Sequence, residues 1–269
     1  MVSAARSIET IANSGLRIED VSASSKSRSY GGIIVCGGRG TRIAELTGDK
    51  IPKPLLKIGG KELIRYSVDL MDPTVVSELV FAVDYMAEQI RAWSSAANLP
   101  HQVWFSITDK PGVALAVKEA AAFIEGDGII FCNGDEIRQR LNLRDLIREH
   151  EATNAVATVV AAYSDKLHRR RVLEVDSDGL VVSQRVRDAE YASKPEEVGL
   201  ANAGIMVMDK TALGYLNTQP GVNWDGIISP LIGAGKLRAY IGHSTRFFGI
   251  NTAEEMREAE AYLLRNPSQ

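Results

Sequence analysis

Residues 33–42 read IIVCGGRGTR, in which four apolar residues lead directly into a turn with three glycines and two arginines. Glycines after a buried strand let the backbone adopt positive φ angles and approach a ligand closely, because they carry no Cβ. The backbone N–H groups exposed by such a turn can surround phosphate oxygens. We therefore predict a strand at residues 32–36, followed by a phosphate-binding turn that consists of Gly37, Gly38, Arg39, Gly40 and Thr41.

Two common phosphate-binding motifs do not fit this turn. A dinucleotide-binding fingerprint requires a small residue three positions after Gly40, where the chain has Ile43. A P-loop requires Gly-Lys followed by Ser or Thr, whereas Gly60 and Lys61 are followed by Glu62. The glycines alone are explained equally well by a tight strand–helix turn. The interpretation therefore depends on the charged residues nearby.

Arg42 closes the turn, and Lys53 follows shortly downstream between Pro52 and Pro54. Prolines on both sides restrict the backbone and so limit where the lysine ammonium can reach. A rigidly presented lysine beside an arginine-containing turn suits the stabilisation of charge on a triphosphate during a displacement reaction. We predict that Arg42 and Lys53 are catalytic.

The chain beyond this point alternates between apolar strands and segments with helical spacing. Because the strands are continuously apolar, the pattern is typical of a parallel sheet covered on both faces. We predict an α/β fold: a Rossmann-like three-layer αβα arrangement with a mostly parallel central sheet and a small β-rich insertion. Further strands are expected at residues 79–83, 102–107, 128–132, 155–162 and 203–208, helices at 61–71, 86–93, 113–124 and 143–150, and a hairpin at 171–186. Ligands bind such sheets at the carboxyl ends of the strands.

Composition and charge exclude several classes of protein. The net charge of −3 provides no basic field for nucleic acid. Cys36 and Cys132 belong to no metal-binding spacing, and we interpret them as reduced core residues of a cytoplasmic protein. The longest apolar stretch, residues 155–163, is too short to cross a membrane. Residues 1–29 lack the apolar core of a signal peptide, and we expect an N-terminal extension or linker before a domain at 30–269.

Residues 33–69 resemble the opening of the nucleoside-diphosphate-sugar pyrophosphorylase family, in which a GTR loop, a PKP segment and an I-x-GK-x-LI-x-Y stretch occur in this order. The resemblance implies the nucleotide-diphospho-sugar transferase type of fold, with a nucleotide-binding half at 30–165 and a sugar-binding part at 166–250. It also implies Mg²⁺-dependent transfer of a nucleoside monophosphate from a nucleoside triphosphate to a sugar 1-phosphate. Relatives in this family are often dimers or tetramers, so a homo-oligomer is compatible with the resemblance.

Two residues are candidate metal ligands. Asp135 follows the strand predicted at 128–132, where a carboxylate is well placed to hold a hard divalent cation, and the resemblance implies the first metal ligand here. Many relatives have Asp-x-Gly-Thr before the last helix, and this chain has Gly249 at the position of that Asp. A subset resembling bacterial N-acetylglucosamine-1-phosphate uridylyltransferases has Gly-Val-Asn with a metal-binding Asn, which implies Asn251. The alternative is that both are ordinary turn residues. Thr252 is expected to cap the last helix.

The sugar-binding and base-binding positions depart from the family pattern. Asn202 and Gly204 resemble the N-x-G strand that contacts the sugar, although an ordinary strand start has the same pattern. Gly112 is retained where the family reads the nucleobase, but the neighbouring Thr is absent, so the base stays open. Arg185 and Arg187 lie where the family has the Glu-Lys that holds the sugar phosphate, and a solvated strand face explains them equally well. The basic run at 168–171 is interpreted as a solvated loop, with attraction of an anionic substrate as the alternative.

Three other functions share part of this pattern. Within the same chemistry, the alternative acceptor is a non-sugar phosphate such as phosphocholine or a cyclitol phosphate. A catalytically silent nucleotide-sugar sensor is disfavoured, because a pure binding protein has less need for Arg42, Lys53 and Asp135 together. A glycosyltransferase would normally show Asp-x-Asp after a strand, and Asn133-Gly134-Asp135 does not fit it. GTP with a heptose- or mannose-type phosphate is one candidate substrate pair.

Overall fold

The computed structural model describes residues 28–38, 40–48, 50–166, 170–186 and 198–266. The strands are β1 (Tyr30–Val35), β2 (Lys57–Ile58), β3 (Lys61–Glu62), β4 (Val76–Val83), β5 (Gln102–Ile107), β6 (Gly128–Asn133), β7 (Glu136–Gln139), β8 (Ala157–Ser164), β9 (Arg171–Val175), β10 (Val181–Val186), β11 (Gly199–Asp209), β12 (Leu237–Ile241) and β13 (Arg246–Gly249). The helices are α1 (Ala44–Thr47), α2 (Leu63–Leu70), α3 (Ala87–Ala96), α4 (Val113–Ala120), α5 (Leu143–Ala152), α6 (Asp225–Gly233) and α7 (Ala253–Arg265).

A nine-stranded sheet runs through the centre of the molecule. Strands β5, β4, β1 and β6 lie side by side and are parallel, and β12 is parallel to β8. Strand β11 is antiparallel to both of its long neighbours, β6 and β8. The α/β class and the central, mostly parallel sheet are confirmed, with β11 as the main exception to the parallel arrangement.

Apolar side chains pack on both faces of this sheet, which explains the continuous apolar strands. Neighbouring residues of β1 point to opposite faces, so Ile33 packs in one core with α4 and α6 and Ile34 in another with α2, α3 and α5. Strand β11 is equally buried over residues 201–208, although it is antiparallel. A helix layer on each face therefore determines the apolar pattern, whatever the strand direction.

A change of register divides β11 between Asn202 and Met206. Gly204 lies within it at a φ of 65°, a left-handed conformation that favours glycine. The residues after the shift pair with β6, whereas Ala201 before it pairs with Val172 of β9. The predicted hairpin, β9 and β10, thus joins the sheet beside the first part of β11.

The helix predicted from residue 61 begins later, at Leu63. Gly59 and Gly60 both have positive φ angles and form a turn, so Lys61–Glu62 pairs with Lys57–Ile58 as a small hairpin instead. The helix predicted to end at residue 124 ends as an α-helix at Ala120 and continues as a 3-10 turn. None of the helices in the described parts of the chain combines the length and the apolar character needed to cross a bilayer.

Candidate functional site

The glycine-rich turn follows β1 directly. Gly38 and Gly40 have φ angles of 103° and 61°, so the backbone uses the left-handed conformations that the glycines predict. A Cβ on Gly40 would lie 3.3 Å from the Cβ of Lys53, so the glycine allows the turn to pack closely against the lysine. The turn continues as a 3-10 helix that carries Thr41 and Arg42. Arg39, predicted to bind the nucleotide, lies outside the described residues.

Lys53 is the centre of a polar cluster. Pro52 is extended, and Lys53 opens a 3-10 turn that directs its side chain into the protein, where the residue is only 8% exposed. Its Nζ donates to Oδ2 of Asp135 at 2.5 Å and to Oδ1 of Asn251 at 3.2 Å. The ammonium therefore lies between the two predicted metal ligands.

Arg42 joins the same cluster through Asn251. Its guanidinium donates to Oδ1 of Asn251 at 3.0 Å, so one amide oxygen accepts hydrogen bonds from two cations. The backbone N–H of Asn251 donates to Glu255 at 2.7 Å, and Thr252 caps α7 by accepting from the Glu255 N–H at 3.2 Å. The predicted cap is confirmed. The start of α7 thus fixes the amide against Lys53 and Arg42.

Asp135 reaches the cluster from the end of β6. The Gly134 N–H donates to the carbonyl of Val35 at 2.9 Å, which holds the turn after β6 against β1. A Cβ on Gly134 would lie 2.8 Å from Sγ of Cys36, so this contact requires glycine. Four residues that are far apart in the sequence are therefore brought together: Arg42, Lys53, Asp135 and Asn251.

A buried ion pair beneath the cluster was missed from the sequence. Arg138 has a side chain only 1% exposed and donates to Glu136 at 2.5 Å and to the carbonyls of Ala203 and Gly204 at 2.6 Å. Burial raises the pKa of Glu136, an effect that the positive charge of Arg138 opposes. The sequence Glu-Ile-Arg after Asp135 could have indicated this ion pair, because alternate residues of a strand point to the same face.

Asn202 and Gly204 lie above this ion pair. A Cβ on Gly204 would overlap a carboxylate oxygen of Glu136, so only glycine fits at this point of β11. Oδ1 of Asn202 accepts the Gly204 N–H at 2.8 Å, which fixes the orientation of the nearly buried side chain. The predicted sugar-binding pair is thus held rigidly at the register shift.

A cleft of about 280 Å³ connects the cluster with the N-x-G strand. Its walls combine three arginines and one tryptophan with oxygen-bearing and small residues: Arg42, Asn133, Asp135, Glu136, Arg170, Arg171, Asn202, Gly204, Trp224, Gly249 and Asn251. Oδ1 of Asn133 accepts from the Trp224 ring N–H at 3.1 Å, so the two cleft residues orient each other. Within the described chain, no three His, Cys, Asp or Glu side chains are grouped as a metal site.

The arginines of this cleft differ from those expected. Along β10, Gln184 contacts Asp225 of α6, so the next residue, Arg185, points to the opposite face, where it pairs with Glu174. Arg185 does not line the cleft, and Arg187 lies outside the described residues. Arg170 and Arg171, which we interpreted as part of a solvated loop, line the cleft instead.

A second cavity, of about 160 Å³, lies on the other side of the turn. Gly112 lines it at a φ of 134°, and a Cβ there would lie 2.9 Å from the carbonyl oxygen of Val222. The remaining walls come from the turn, from the ends of β1, β4 and β5, from α4 and from the segment before α6: Val35, Gly37, Gly38, Asp84, Thr108, Lys110, Pro111, Val113, Ala116 and Asn223. Gly37, Gly38 and Gly112, which were predicted to bind the nucleotide, thus line one cavity, whereas Gly40 and Thr41 do not line it.

Several known proteins are similar to this chain in sequence or in fold. A mannose-1-phosphate guanyltransferase of Pichia angusta is 28% identical over 197 residues, which cover 70% of this chain and 52% of the relative, or about half its length. A D-glycero-alpha-D-manno-heptose 1-phosphate guanylyltransferase of Campylobacter jejuni is 28% identical over 179 residues, or 66% of this chain and 75% of that protein. The crystal structure of HddC from Yersinia pseudotuberculosis has a TM-score of 0.71 at 25% identity and covers 87% of this chain and 99% of that one.

The family described as nucleotidyl transferase matches residues 31–220. This range contains the glycine-rich turn, Lys53, Asp135 and the N-x-G strand. The family resemblance seen in residues 33–69 is therefore confirmed, and the chain belongs to the nucleotidyl transferase family.

Proposed function

We propose that the protein transfers a nucleoside monophosphate from a nucleoside triphosphate to a sugar 1-phosphate and releases pyrophosphate. The observation that carries this proposal is the position of Lys53, whose buried ammonium contacts Asp135 and Asn251 beside Arg42. Positive charge fixed beside a glycine turn suits the stabilisation of phosphoryl transfer. Two of the relatives named above are sugar-phosphate guanylyltransferases, which supports the same reaction.

The reaction is an in-line displacement in which an acceptor phosphate oxygen attacks the α-phosphorus. The nucleophile is already anionic, so the site needs no strong general base. The amides of the turn and Arg42 bind the β- and γ-phosphates, and Lys53 stabilises the charge that develops on the transferring group. Asn202 and Gly204 lie across the cleft, where they hold the acceptor sugar by hydrogen bonding and close approach.

Asp135 and Asn251 are suited to hold Mg²⁺. Both present hard oxygen atoms, and both oxygens converge on one cation, the Lys53 ammonium. Mg²⁺ is usually held by one or two protein carboxylates together with substrate phosphates, so one carboxylate and one amide form a fitting set. When bound, the ion supplies further neutralisation of phosphate charge.

We expect Asp135→Asn to reduce turnover by roughly 10²-fold, because the amide keeps the shape but loses the charge that attracts a divalent cation. Pyrophosphate release measured across a Mg²⁺ titration gives both the rate and the half-saturating Mg²⁺ concentration, which should rise. Asp72→Asn, in an exposed ion pair with Arg144, is the matched control. An unchanged Mg²⁺ dependence in Asp135→Asn would contradict the assignment of this carboxylate.

We further propose GTP as the triphosphate. Asp84 lines the cavity beside the glycine turn, and a carboxylate can accept two adjacent hydrogen bonds. Guanine presents two adjacent donors, its ring N–H and its amino group, whereas the other common bases offer a single donor group on the same edge. The guanylyltransferases among the relatives agree with this choice.

Asp84→Asn should reduce the preference for GTP over the other triphosphates by roughly 10- to 100-fold, the effect expected for a hydrogen bond to a charged group. The measurement is kcat/KM for four triphosphates with mannose 1-phosphate as acceptor. Asp109→Asn, on the neighbouring loop but outside the cavity walls, should leave the preference unchanged. Equal use of all four triphosphates by the unmodified protein would remove the proposed role of Asp84.

A screen of pyrophosphate release tests the reaction itself. Four triphosphates are combined with mannose, glucose and heptose 1-phosphates and with phosphocholine and a cyclitol phosphate. Turnover with a sugar 1-phosphate supports the proposal, whereas turnover confined to phosphocholine or the cyclitol phosphate replaces the acceptor class. Binding of a nucleotide-sugar without any turnover would identify a sensor instead of an enzyme.

A further inference from the structure

Arg170 stands immediately before β9 and lines the reaction cleft together with Asp135 and Asn202. Its guanidinium carbon lies 4.7 Å from the centre of the Phe247 ring, a distance typical of a cation–π contact. The aromatic face of β13 therefore holds the cation in position while its hydrogen-bond donors remain available to the cleft.

The donors of Arg170 are unused among the described residues. Its buried Nε has no hydrogen-bond partner there. The positive charge of Arg170 does act on Glu136, where it opposes the rise in pKa that burial causes. Arg171 differs, because it is paired with Asp225 of α6. Arg42 donates to Asn251. Of the three cleft arginines, Arg170 is the one that makes no hydrogen bond within the described residues, and a buried unpaired donor is costly unless a ligand satisfies it.

Gly249 makes room for this guanidinium. A Cβ on Gly249 would lie 2.6 Å from a terminal nitrogen of Arg170 and 3.5 Å from Nδ2 of Asn251. The free cation and the amide that contacts Lys53 are therefore close neighbours. Any larger residue at this position would have to displace the guanidinium. The glycine leaves the positive charge available.

We propose that Arg170 binds the phosphate of the acceptor and directs its oxygen towards the transferring phosphoryl group. This inference rests on the proposed function. It gives to Arg170 the role that the sequence assigned to Arg185 and Arg187. A planar guanidinium can donate two parallel hydrogen bonds to a phosphate, which fixes orientation as well as charge. The acceptor phosphate then lies between Arg170 and the Asn251 amide, with the sugar towards Asn202.

The test compares Arg170→Leu and Arg170→Lys with the unmodified protein in steady-state pyrophosphate release. We expect Arg170→Leu to raise the KM for mannose 1-phosphate by roughly 10- to 100-fold while the KM for GTP changes less than about twofold. Arg170→Lys should give an intermediate KM, because the ammonium keeps the charge but loses the fork geometry. Arg246→Leu removes an exposed cation from β13 outside the cleft and is the matched control.

Calorimetric titration of mannose 1-phosphate into protein saturated with a non-hydrolysable GTP analogue provides a readout that needs no turnover. Weaker binding by Arg170→Leu with an unchanged melting temperature supports the inference. If Arg170 only stabilises the fold through its contact with Phe247, Arg170→Leu will lower the melting temperature and leave acceptor binding unchanged. That result overturns the inference. If no substrate pair is turned over, the proposed function fails, and the titration alone decides whether Arg170 binds a phosphate monoester.

Discussion

Lys53→Met is expected to lower the rate of pyrophosphate release by 10²- to 10³-fold, corresponding to the roughly 3–4 kcal/mol typical of a lost transition-state contact. Methionine replaces all of the lysine side chain except the terminal nitrogen, so the packing of the inner atoms against Gly40 is largely preserved. What is lost is the ammonium that contacts Asp135 and Asn251. Because this charge acts on the transferring group, kcat should fall much more than the KM for either substrate rises.

Folding should survive this change. Asp135 is left without its lysine, but one third of its side chain is exposed, so water replaces much of the lost interaction. Lys57→Met removes a lysine that is 70% exposed and only loosely paired with Glu62, and it serves as the control. A folded Lys53→Met protein with near-normal kcat would show that Lys53 has no part in the chemistry.

The second large effect concerns stability. Arg138→Met leaves the Glu136 carboxylate in a nearly dry environment and removes the donors to the carbonyls of Ala203 and Gly204. Breaking a buried pair from one side typically costs about 3–5 kcal/mol. We expect a decrease of that order in the free energy of unfolding, measured by urea denaturation. The KM for the acceptor should also rise, because the register shift in β11 loses its support.

A double variant separates the charge from the packing. Adding Glu136→Gln to Arg138→Met removes the uncompensated carboxylate and should recover part of the lost stability. Arg144→Met breaks an exposed pair with Asp72 and should cost less than about 1 kcal/mol. If Arg138→Met unfolds at the same urea concentration as this control, the buried pair does not stabilise the site.

The sequence predicted the parallel half of the sheet because its buried strands are short, apolar and followed by helices. It could not predict the direction of β11, since residues 201–208 are as continuously buried as the parallel strands. The same limit applies to Lys61: its helical spacing is real, but the backbone turn at Gly59 and Gly60 takes it into a strand. Apolar patterns report burial, and they do not report strand direction.

The site was predictable where short motifs fix the backbone. The glycine turn, Lys53 between two prolines, Asp135 after β6 and Asn251 before α7 meet in one cluster, as their positions at strand and helix ends suggested. The arginines were harder, because Arg185 pairs in register with Val172 and so lies on the same face of the hairpin as Arg170. Their place along the hairpin separates them: Arg170 precedes β9 and lies beside Gly249, whereas Arg185 meets Glu174. This register cannot be read from a single sequence.

The capped start of α7 has a consequence for the order in which the protein becomes active. Asn251 completes the cluster around Lys53, yet it is held there only when Glu255 has entered the helix. During synthesis the glycine turn leaves the ribosome more than two hundred residues before this segment. The nucleotide cavity also waits for Asn223, so a nascent chain forms the glycine turn early but completes the cavity late. The oxygen that joins Arg42 to Lys53 is added later still, and the complete site is one of the last features to form.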